Sequence, residues 1–290
     1  MRLSDALELL LLAALWGGSF LFMRIAAPVL GPVWLIECRV LLAGLALLPL
    51  LVRSHSWETI RTDLKSLFIV GTINSALPFL FLAFAALSLT AGYTSIINAT
   101  APLFGTVIAA VWLREKLTAA RLIGLVLGFA GVVTLIGLQP MAITPTVMIS
   151  IGAGLSAAMM YAIAAPYTKR YLSQTPPLVI ATVSQFGAAI ALMPLLPFTV
   201  PSALPNVKIM LAVVTLALFC TSLAYLLYFR LIQNIGSSKA LTVVYLVPMF
   251  AVLWGSVFLK EPITIAMVSG CGLILLGTAV ANGLLSSAEK

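Results

Sequence analysis

The sequence predicts an all-α polytopic membrane protein with ten transmembrane helices, arranged as two inverted five-helix repeats. Composition is the first reason. Of the 290 residues, 62% are hydrophobic and only 8% are charged, whereas soluble domains are about 45–50% apolar and about 25% charged. The second reason is that the apolar residues form continuous runs rather than alternating ones, which excludes a β-barrel. The third reason is a sequence pattern that the two halves share.

Charges, prolines and glycines divide the chain into apolar segments of the length that a spanning helix needs, about 20 residues. The loops between these segments are short, so the sequence offers no extramembrane domain that could hold a catalytic site. The predicted helices cover residues 5–27, 32–52, 65–88, 92–113, 118–138, 145–166, 177–197, 207–232, 236–259 and 264–285.

Basic residues give the predicted orientation. With a cytoplasmic N-terminus, most of the 16 Lys and Arg residues fall in cytoplasmic loops, as the positive-inside rule requires. We therefore expect a multi-pass protein of the bacterial inner membrane with both termini in the cytoplasm. The loops account for the net charge of +8, and no basic arm or aromatic pattern predicts binding to nucleic acid.

An internal repeat divides the chain into residues 1–140 and 141–290. The ends of the two halves align at a shift of 146 residues, which pairs Pro102 with Pro248. Each half contains five predicted helices, an odd number, so the halves would be inserted in opposite orientations. Inverted repeats are common in secondary transporters, and this arrangement therefore favours a role in transport.

Two motifs carry a family resemblance. Helix 1 contains Leu15-Trp16-Gly-Gly-Ser19-Phe, and each half ends with the pattern Pro-x-Phe…Leu-(Arg/Lys)-Glu…Thr…Gly…Gly. At these residues the chain resembles the EamA-type family of the drug/metabolite transporter superfamily, over nearly its whole length. The resemblance implies a central cavity between the halves and alternating access. It also implies a small-molecule substrate, because members of the family export amino acids and other metabolites, and some act on drugs or sugars.

We therefore expect a secondary active exporter of small metabolites such as amino acids. A passive facilitator of the same fold is the alternative, and it would need no titratable residue along its path. An intramembrane enzyme is a distant alternative, because the predicted spans contain no paired carboxylates and the only histidine, His55, lies in a polar loop. The sequence predicts no cofactor and no metal, and it leaves proton coupling and a homodimer open.

Polar and aromatic side chains at membrane depth are the candidate substrate-binding residues. A polar group in hydrocarbon must face protein or water, and binding cavities combine apolar walls with a few polar groups. Ordinary packing between helices is the alternative for each of them. The candidates are Trp16, Phe20, Asn74, Phe79, Asn98, Tyr161, Gln185, Tyr225 and Tyr245.

Prolines inside predicted helices are the candidate hinges, because proline removes a backbone donor and frees a carbonyl group one turn earlier. Packing kinks without motion are the alternative. The three candidates are Pro78, Pro102 and Pro248.

Glu37 is the only carboxylate well inside a predicted span, so it should be paired or protonated. We expect it to contact Arg24 of the neighbouring helix, with Arg39 turned elsewhere or reaching the interface. The contact would be a structural ion pair, or else an outer gate or a protonation switch that opens and closes with the transport cycle. Glu37, Arg24 and Arg39 are therefore the candidate gating or coupling residues. By contrast, Glu115 and Glu261 lie at predicted helix ends, where solvated caps with local ion pairs are expected.

Small residues predict close helix packing. Gly124 and Gly128 form a GxxxG motif in predicted helix 5, and Ala266 and Gly270 form a similar pair in predicted helix 10. Such pairs let two backbones approach closely within a membrane, and the two helices are expected to pack against each other.

Overall fold

A computed structural model describes residues 2–112, 118–138, 144–201 and 204–281. Within these ranges the chain forms helices and no strand. In chain order they are α1 (Leu3–Arg53), α2 (Trp57–Val70), a π-helical turn (Gly71–Ala76), α3 (Leu77–Ala85), α4 (Ala91–Asn98), α5 (Ala101–Trp112), α6 (Ala119–Gly137), α7 (Pro145–Tyr171), α8 (Pro177–Leu192), a 3₁₀ turn (Met193–Phe198), α9 (Val207–Ala217), a second π-helical turn (Leu218–Leu223), α10 (Ala224–Ile235), α11 (Ser237–Ala240), α12 (Val243–Leu259) and α13 (Ile265–Ala281).

The first helix, α1, is two helices joined at Gly31. Its 51 residues would extend about 76 Å if straight, far more than the roughly 30 Å of a hydrocarbon core. Gly31 has φ 73° and ψ 154°, a conformation that glycine adopts at little steric cost. The chain reverses there, so residues 3–30 and 32–53 form two arms, as the predicted boundary between the first two spans requires.

Among the described residues, seven helical segments are long and apolar enough to cross a bilayer when α1 is counted once, and α12 and α13 are shorter apolar helices. Large apolar side chains cover the outside of the bundle, among them Val111 at 78%, Val133 at 70% and Ile265 at 82% exposure. Lipid is the solvent that suits such a surface. The protein is therefore an all-helical, multi-pass membrane protein, while its ten crossings and its inverted repeat stay predictions.

Helix starts follow from local side-chain caps. The hydroxyl groups of Thr90, Thr118 and Thr144 each accept a hydrogen bond from the backbone N–H three residues later. The side chain of Asn206 does the same at the start of α9. Each cap satisfies a backbone donor that has no partner within the helix.

Interruptions lie beside two of the three predicted hinge prolines. Pro78 is the second residue of α3, directly after the first π-helical turn. Pro102 is the second residue of α5, after the break between α4 and α5. By contrast, α12 continues through Pro248, and the chain is interrupted earlier, between Ala240 and Val243. Hinge motion at the three prolines stays a prediction.

Helices α6 and α13 pack through glycines, which confirms the predicted contact between them. A Cβ atom at Gly131 would lie 2.8 Å from the Ile274 nitrogen and 2.9 Å from the Gly270 oxygen. Gly124 approaches the backbone of Gly277 in the same way. Only glycine allows this separation, so the small residues determine which helices pair.

Candidate functional site

Arg39 lies at the centre of the bundle, on the second arm of α1. It is 3% exposed. Its Nε donates a 3.0 Å hydrogen bond to the hydroxyl group of Thr221, and its Nη1 lies 3.8 Å from the sulfur of Met23. The guanidinium group stacks 3.6 Å above the ring centre of Phe79. Arg39 is thus held by neutral groups from α1, α3 and the second π-helical turn.

Both π-helical turns supply hydroxyl groups to this central region. Thr221 donates to the Leu216 carbonyl oxygen at 2.9 Å while it accepts from Arg39. In the first turn, Ser75 accepts a 3.1 Å hydrogen bond from the side-chain nitrogen of Gln185. A π-helical turn widens the helix by one residue and often marks a functional site. Here it directs polar side chains inward.

Tyr225, near the start of α10, lies close to both polar groups, with Ser75, Gln185 and Arg39 as its neighbours. Tyr161 lies near Arg39 from α7. The structure thus brings together four of the predicted binding residues around Arg39, namely Phe79, Tyr161, Gln185 and Tyr225.

The other predicted binding residues are more dispersed. Trp16 packs against Tyr228, with ring centres 5.3 Å apart, and Phe20 is buried in the same apolar cluster. Asn74 belongs to the first π-helical turn. Asn98 ends α4 with its Oδ1 buried and without a hydrogen-bond partner in the described chain, and Tyr245 is half-buried in α12. Substrate binding by the nine residues stays a prediction.

The predicted contact between Glu37 and Arg24 is wrong. Arg24 instead donates from Nη1 to the carbonyl oxygens of Ala86 and Leu87, at 2.7 and 2.9 Å. Its Nε lies 3.6 Å from Oε1 of Glu261. The prediction failed because it paired neighbouring helices by depth alone, whereas Arg24 faces the α3–α4 and α12–α13 loops.

Glu261 is likewise not the solvated cap that its position at a helix end predicts. Its side chain is 11% exposed, and its Oε2 accepts a 3.0 Å hydrogen bond from the N–H of Ala91 at the start of α4. Burial raises the pKa of the Glu261 carboxyl group above its usual range, while the Ala91 N–H and the Arg24 guanidinium oppose that shift. Glu115 lies outside the described residues.

Local backbone geometry explains the position of Glu261. Lys260 ends α12 in a left-handed conformation, with φ 58°, and the Glu261 N–H returns to the carbonyl oxygen of Gly255. The missing side chain at Gly255 leaves the space that the Glu261 carboxylate occupies. The turn therefore folds the carboxylate back toward α1 and α4.

Glu37 is 3% exposed on the second arm of α1. Its Oε2 has no hydrogen-bond partner within residues 2–112, 118–138, 144–201 and 204–281. A buried carboxylate that is ionised and unpaired is costly. The gating or coupling role of Glu37 stays a prediction, now without Arg24 as its partner.

A second ionic contact lies at the opposite end of the first arm of α1. Glu8 Oε1 is 3.0 Å from Nη1 of Arg230 in the middle of α10. One turn earlier, Asp5 accepts a 3.5 Å hydrogen bond from Asn234. The rise of an α-helix places Glu8 and Arg24 about 24 Å apart along the arm. Each end of the arm is thus joined to the C-terminal half of the chain.

Two surface cavities accompany these contacts. One of ≈ 520 Å³ is lined by Arg24, Pro28, Leu87, Leu259 and Glu261. The other, of ≈ 440 Å³, lies at the opposite end and is lined by Arg2, Asp5, Gln233, Asn234, Ile235 and Lys239.

Sequence reasoning missed Thr221, Ser75 and Glu261 as members of the polar framework. A signal for the two hydroxyl groups does exist, because both π-helical turns contain a polar pair, Asn74-Ser75 and Thr221-Ser222, at corresponding places in the two halves. Glu261 carries no such signal, since its partners depend on a backbone turn and on distant elements.

Comparisons with known proteins place these features in a family. The model of the EamA-like transporter family matches residues 5–137 and residues 148–283. An uncharacterized transporter of Archaeoglobus fulgidus is 25% identical over 271 residues, covering 93% of this chain and 95% of that protein. A probable terminal-alkyne amino-acid exporter of Streptantibioticus cattleyicolor is 26% identical over 279 residues, covering 93% of this chain and 91% of that protein.

A solved crystal structure has the same fold, with a TM-score of 0.68 at 20% identity and complete coverage of both chains. The family model and the relatives are those of transporters rather than enzymes. The motifs in helix 1 and at the end of each half are the residues at which the sequence resembles the family. Together the two matched segments span almost all of the sequence, so the chain belongs to the EamA-like transporter family.

Proposed function

We propose that this protein is a secondary transporter of the bacterial inner membrane that exports small metabolites, such as amino acids, by alternating access. In this proposal residues 1–140 and 141–290 are two inverted five-helix halves, both termini are cytoplasmic, and the substrate occupies a central site between the halves. The name of the relative in Streptantibioticus cattleyicolor supports amino-acid export.

Two observations support the division into halves. The family model matches the chain twice, over residues 5–137 and over residues 148–283. The two π-helical turns begin at Gly71 and Leu218, a shift of 147 residues that is close to the shift between the repeat motifs. Repeated elements in equivalent places are what an internal duplication produces.

The observation that carries alternating access is the pair of ionic contacts on the first arm of α1. Arg24 contacts Glu261 at one end, and Glu8 contacts Arg230 at the other. Both contacts join the two proposed halves. Breaking one would open one end of the central site while the other contact keeps the opposite end closed, and the proposed orientation assigns the Glu8 end to the cytoplasm.

In the proposed cycle, aromatic side chains such as Trp16, Phe20 and Tyr161 form the walls of the site, and Asn98 and Gln185 supply polar contacts. Pro78, Pro102 and Pro248 are the proposed hinges. Glu37, buried and unpaired in the described chain, is the proposed protonation site if transport is proton-coupled.

Purified protein in liposomes tests this proposal. Vesicles loaded with a mixture of amino acids and other small metabolites should release some of them faster than protein-free vesicles, as measured by mass spectrometry. A proton gradient should accelerate release in a coupled exporter, and dissipating the gradient should remove that acceleration. Release at a rate that does not depend on the gradient indicates the passive facilitator. Release no faster than from protein-free vesicles contradicts the proposed function.

A further inference from the structure

Arg39 is the one buried lysine or arginine in the described chain, and none of its contacts is negatively charged. Every acidic residue of the sequence other than Glu115 and Glu289 is described, and none lies within ion-pair distance of Arg39. Glu8 and Glu261 are engaged elsewhere. A buried guanidinium group without a carboxylate is unusual, because a charge removed from water normally requires a countercharge.

Stability does not explain why an arginine occupies this position. Burying an unpaired charge opposes folding, and an apolar side chain of similar volume would pack there at lower cost. The hydrogen bond to Thr221 and the stacking on Phe79 orient the guanidinium plane, but they leave its charge uncompensated. An oriented, uncompensated charge at membrane depth is typical of a ligand site.

The surroundings of Arg39 add selective chemistry. Tyr225 lies close to both Arg39 and Gln185, and Gln185 also donates to Ser75 at 3.1 Å. Gln185 is completely buried, and its Oε1 has no hydrogen-bond partner in the described part of the chain. The site therefore combines a cation with an unused acceptor, and Phe79 and Tyr161 provide aromatic surface around them.

We propose that Arg39 binds the carboxylate of the transported metabolite, and that Gln185 accepts a hydrogen bond from a donor group on the same molecule. This inference rests on the proposed transport function, and it assigns to Arg39 a binding role in place of the gating role that the sequence suggested. A guanidinium group pairs with a carboxylate through two parallel hydrogen bonds. The single buried positive charge matches a monocarboxylate better than a phosphate dianion.

Paired loads test the proposal with the full-length protein in liposomes. One load holds the standard amino acids with short-chain carboxylic acids, and the other holds the matching carboxamides. Efflux is measured by mass spectrometry and corrected for protein-free vesicles. The protein should release members of the acid load and discriminate against their amides. Arg39→Gln should reduce acid efflux at least about 30-fold, since removing one partner of a buried charged pair has an effect of this size.

Three further variants separate binding from folding. Arg61→Gln is the matched control, because Arg61 is exposed on α2, and it should leave efflux unchanged. Arg39→Lys keeps the charge but loses the two-pronged geometry, so it should slow acid efflux while it keeps the preference for acids. Thr221→Val removes the oxygen that orients Nε, so it should also slow acid efflux. This variant provides the test if Arg39→Gln does not fold.

The outcomes distinguish this inference from the transport function. Equal release of acids and amides by the unmodified protein, or an unchanged preference for acids in Arg39→Gln, overturns the role of Arg39 and leaves transport intact. Lower protein yield in the Arg39 variants with the acid preference unaltered also overturns it, because that is the signature of a structural residue. Release of neither load contradicts both proposals.

Discussion

The Nε atom of Arg24 lies 3.6 Å from Oε1 of Glu261, although 237 positions separate the two residues in the sequence. Arg24 also donates to the Ala86 and Leu87 carbonyl oxygens, and Glu261 accepts from the N–H of Ala91. One ion pair therefore connects α1, the α3–α4 loop and the α12–α13 loop at one end of the bundle.

Neutralising Glu261 should loosen this end. Glu261→Gln keeps an acceptor for the Ala91 N–H but removes the charge that Arg24 faces. The pair is partly exposed, with Arg24 at 31%, so it should contribute about 1 kcal/mol, equivalent to about a fivefold change in opening. A cysteine at Leu259, which lines the adjacent cavity, should react about fivefold faster with a thiol reagent. Lys260→Gln is the matched control, and an equal acceleration there would refute the role of the ion pair.

Gly255→Ala should have the same effect through packing. A methyl group at Gly255 would occupy the space of the Glu261 carboxylate, and its displacement should weaken the contacts with Arg24 and Ala91. The cysteine at Leu259 should therefore react with the thiol reagent as fast as it does in Glu261→Gln. A variant with both substitutions should react little faster than either single variant. Gly272→Ala is the control, because no atom lies within 4 Å of a Cβ atom there. Additive effects of the two substitutions would mean that Gly255 acts independently of Glu261.

Helix pairing between α6 and α13 should depend on Gly131. Gly131→Val places a side chain against the backbone of Gly270 and Ile274, and such overpacking costs about 1–3 kcal/mol. The melting temperature, followed by tryptophan fluorescence in detergent, should fall. Gly272→Val should leave the melting temperature nearly unchanged, because no atom lies within 4 Å of a Cβ atom at Gly272 on α13. An equal fall in both variants would argue against a close approach at Gly131.

Trp16 should matter for transport more than for folding. Its ring packs on Tyr228 across the interface between α1 and α10, beside the interior proposed for substrate. Trp16→Ala should lower efflux from liposomes without loss of protein, while Trp16→Phe, which keeps an aromatic surface, should retain most of it. Full efflux by Trp16→Ala would remove this residue from the site.

The helical, membrane-spanning character of the chain was predictable because its signal is local, whereas the two π-helical turns were not predicted and the ten crossings stay a prediction. Apolar runs of about 20 residues, punctuated by Gly31 and by capping residues such as Thr90, define where helices start and end. The contact between α6 and α13 was also predictable, since glycines at helical spacing indicate close packing.

The interior contacts could not be predicted in the same way. Arg24 and Glu261 meet because the left-handed turn at Lys260 reverses the chain, and no periodicity encodes that turn. Arg39 contacts Thr221 because a π-helical turn shifts the register of its helix. Depth in the membrane, which is all that spacing provides, does not determine which faces of distant helices meet.

Alternate opening of the two ends is the central claim, and reversible crosslinking tests it most directly. In a background without Cys38, Cys220 and Cys271, one protein carries Glu8→Cys with Arg230→Cys, and a second carries Arg24→Cys with Glu261→Cys. Each is joined in liposomes by a bifunctional thiol reagent with a reducible linker. Efflux should stop when either end is joined and recover after reduction, because each end must open once per cycle. Undiminished efflux with either end joined would contradict alternating access.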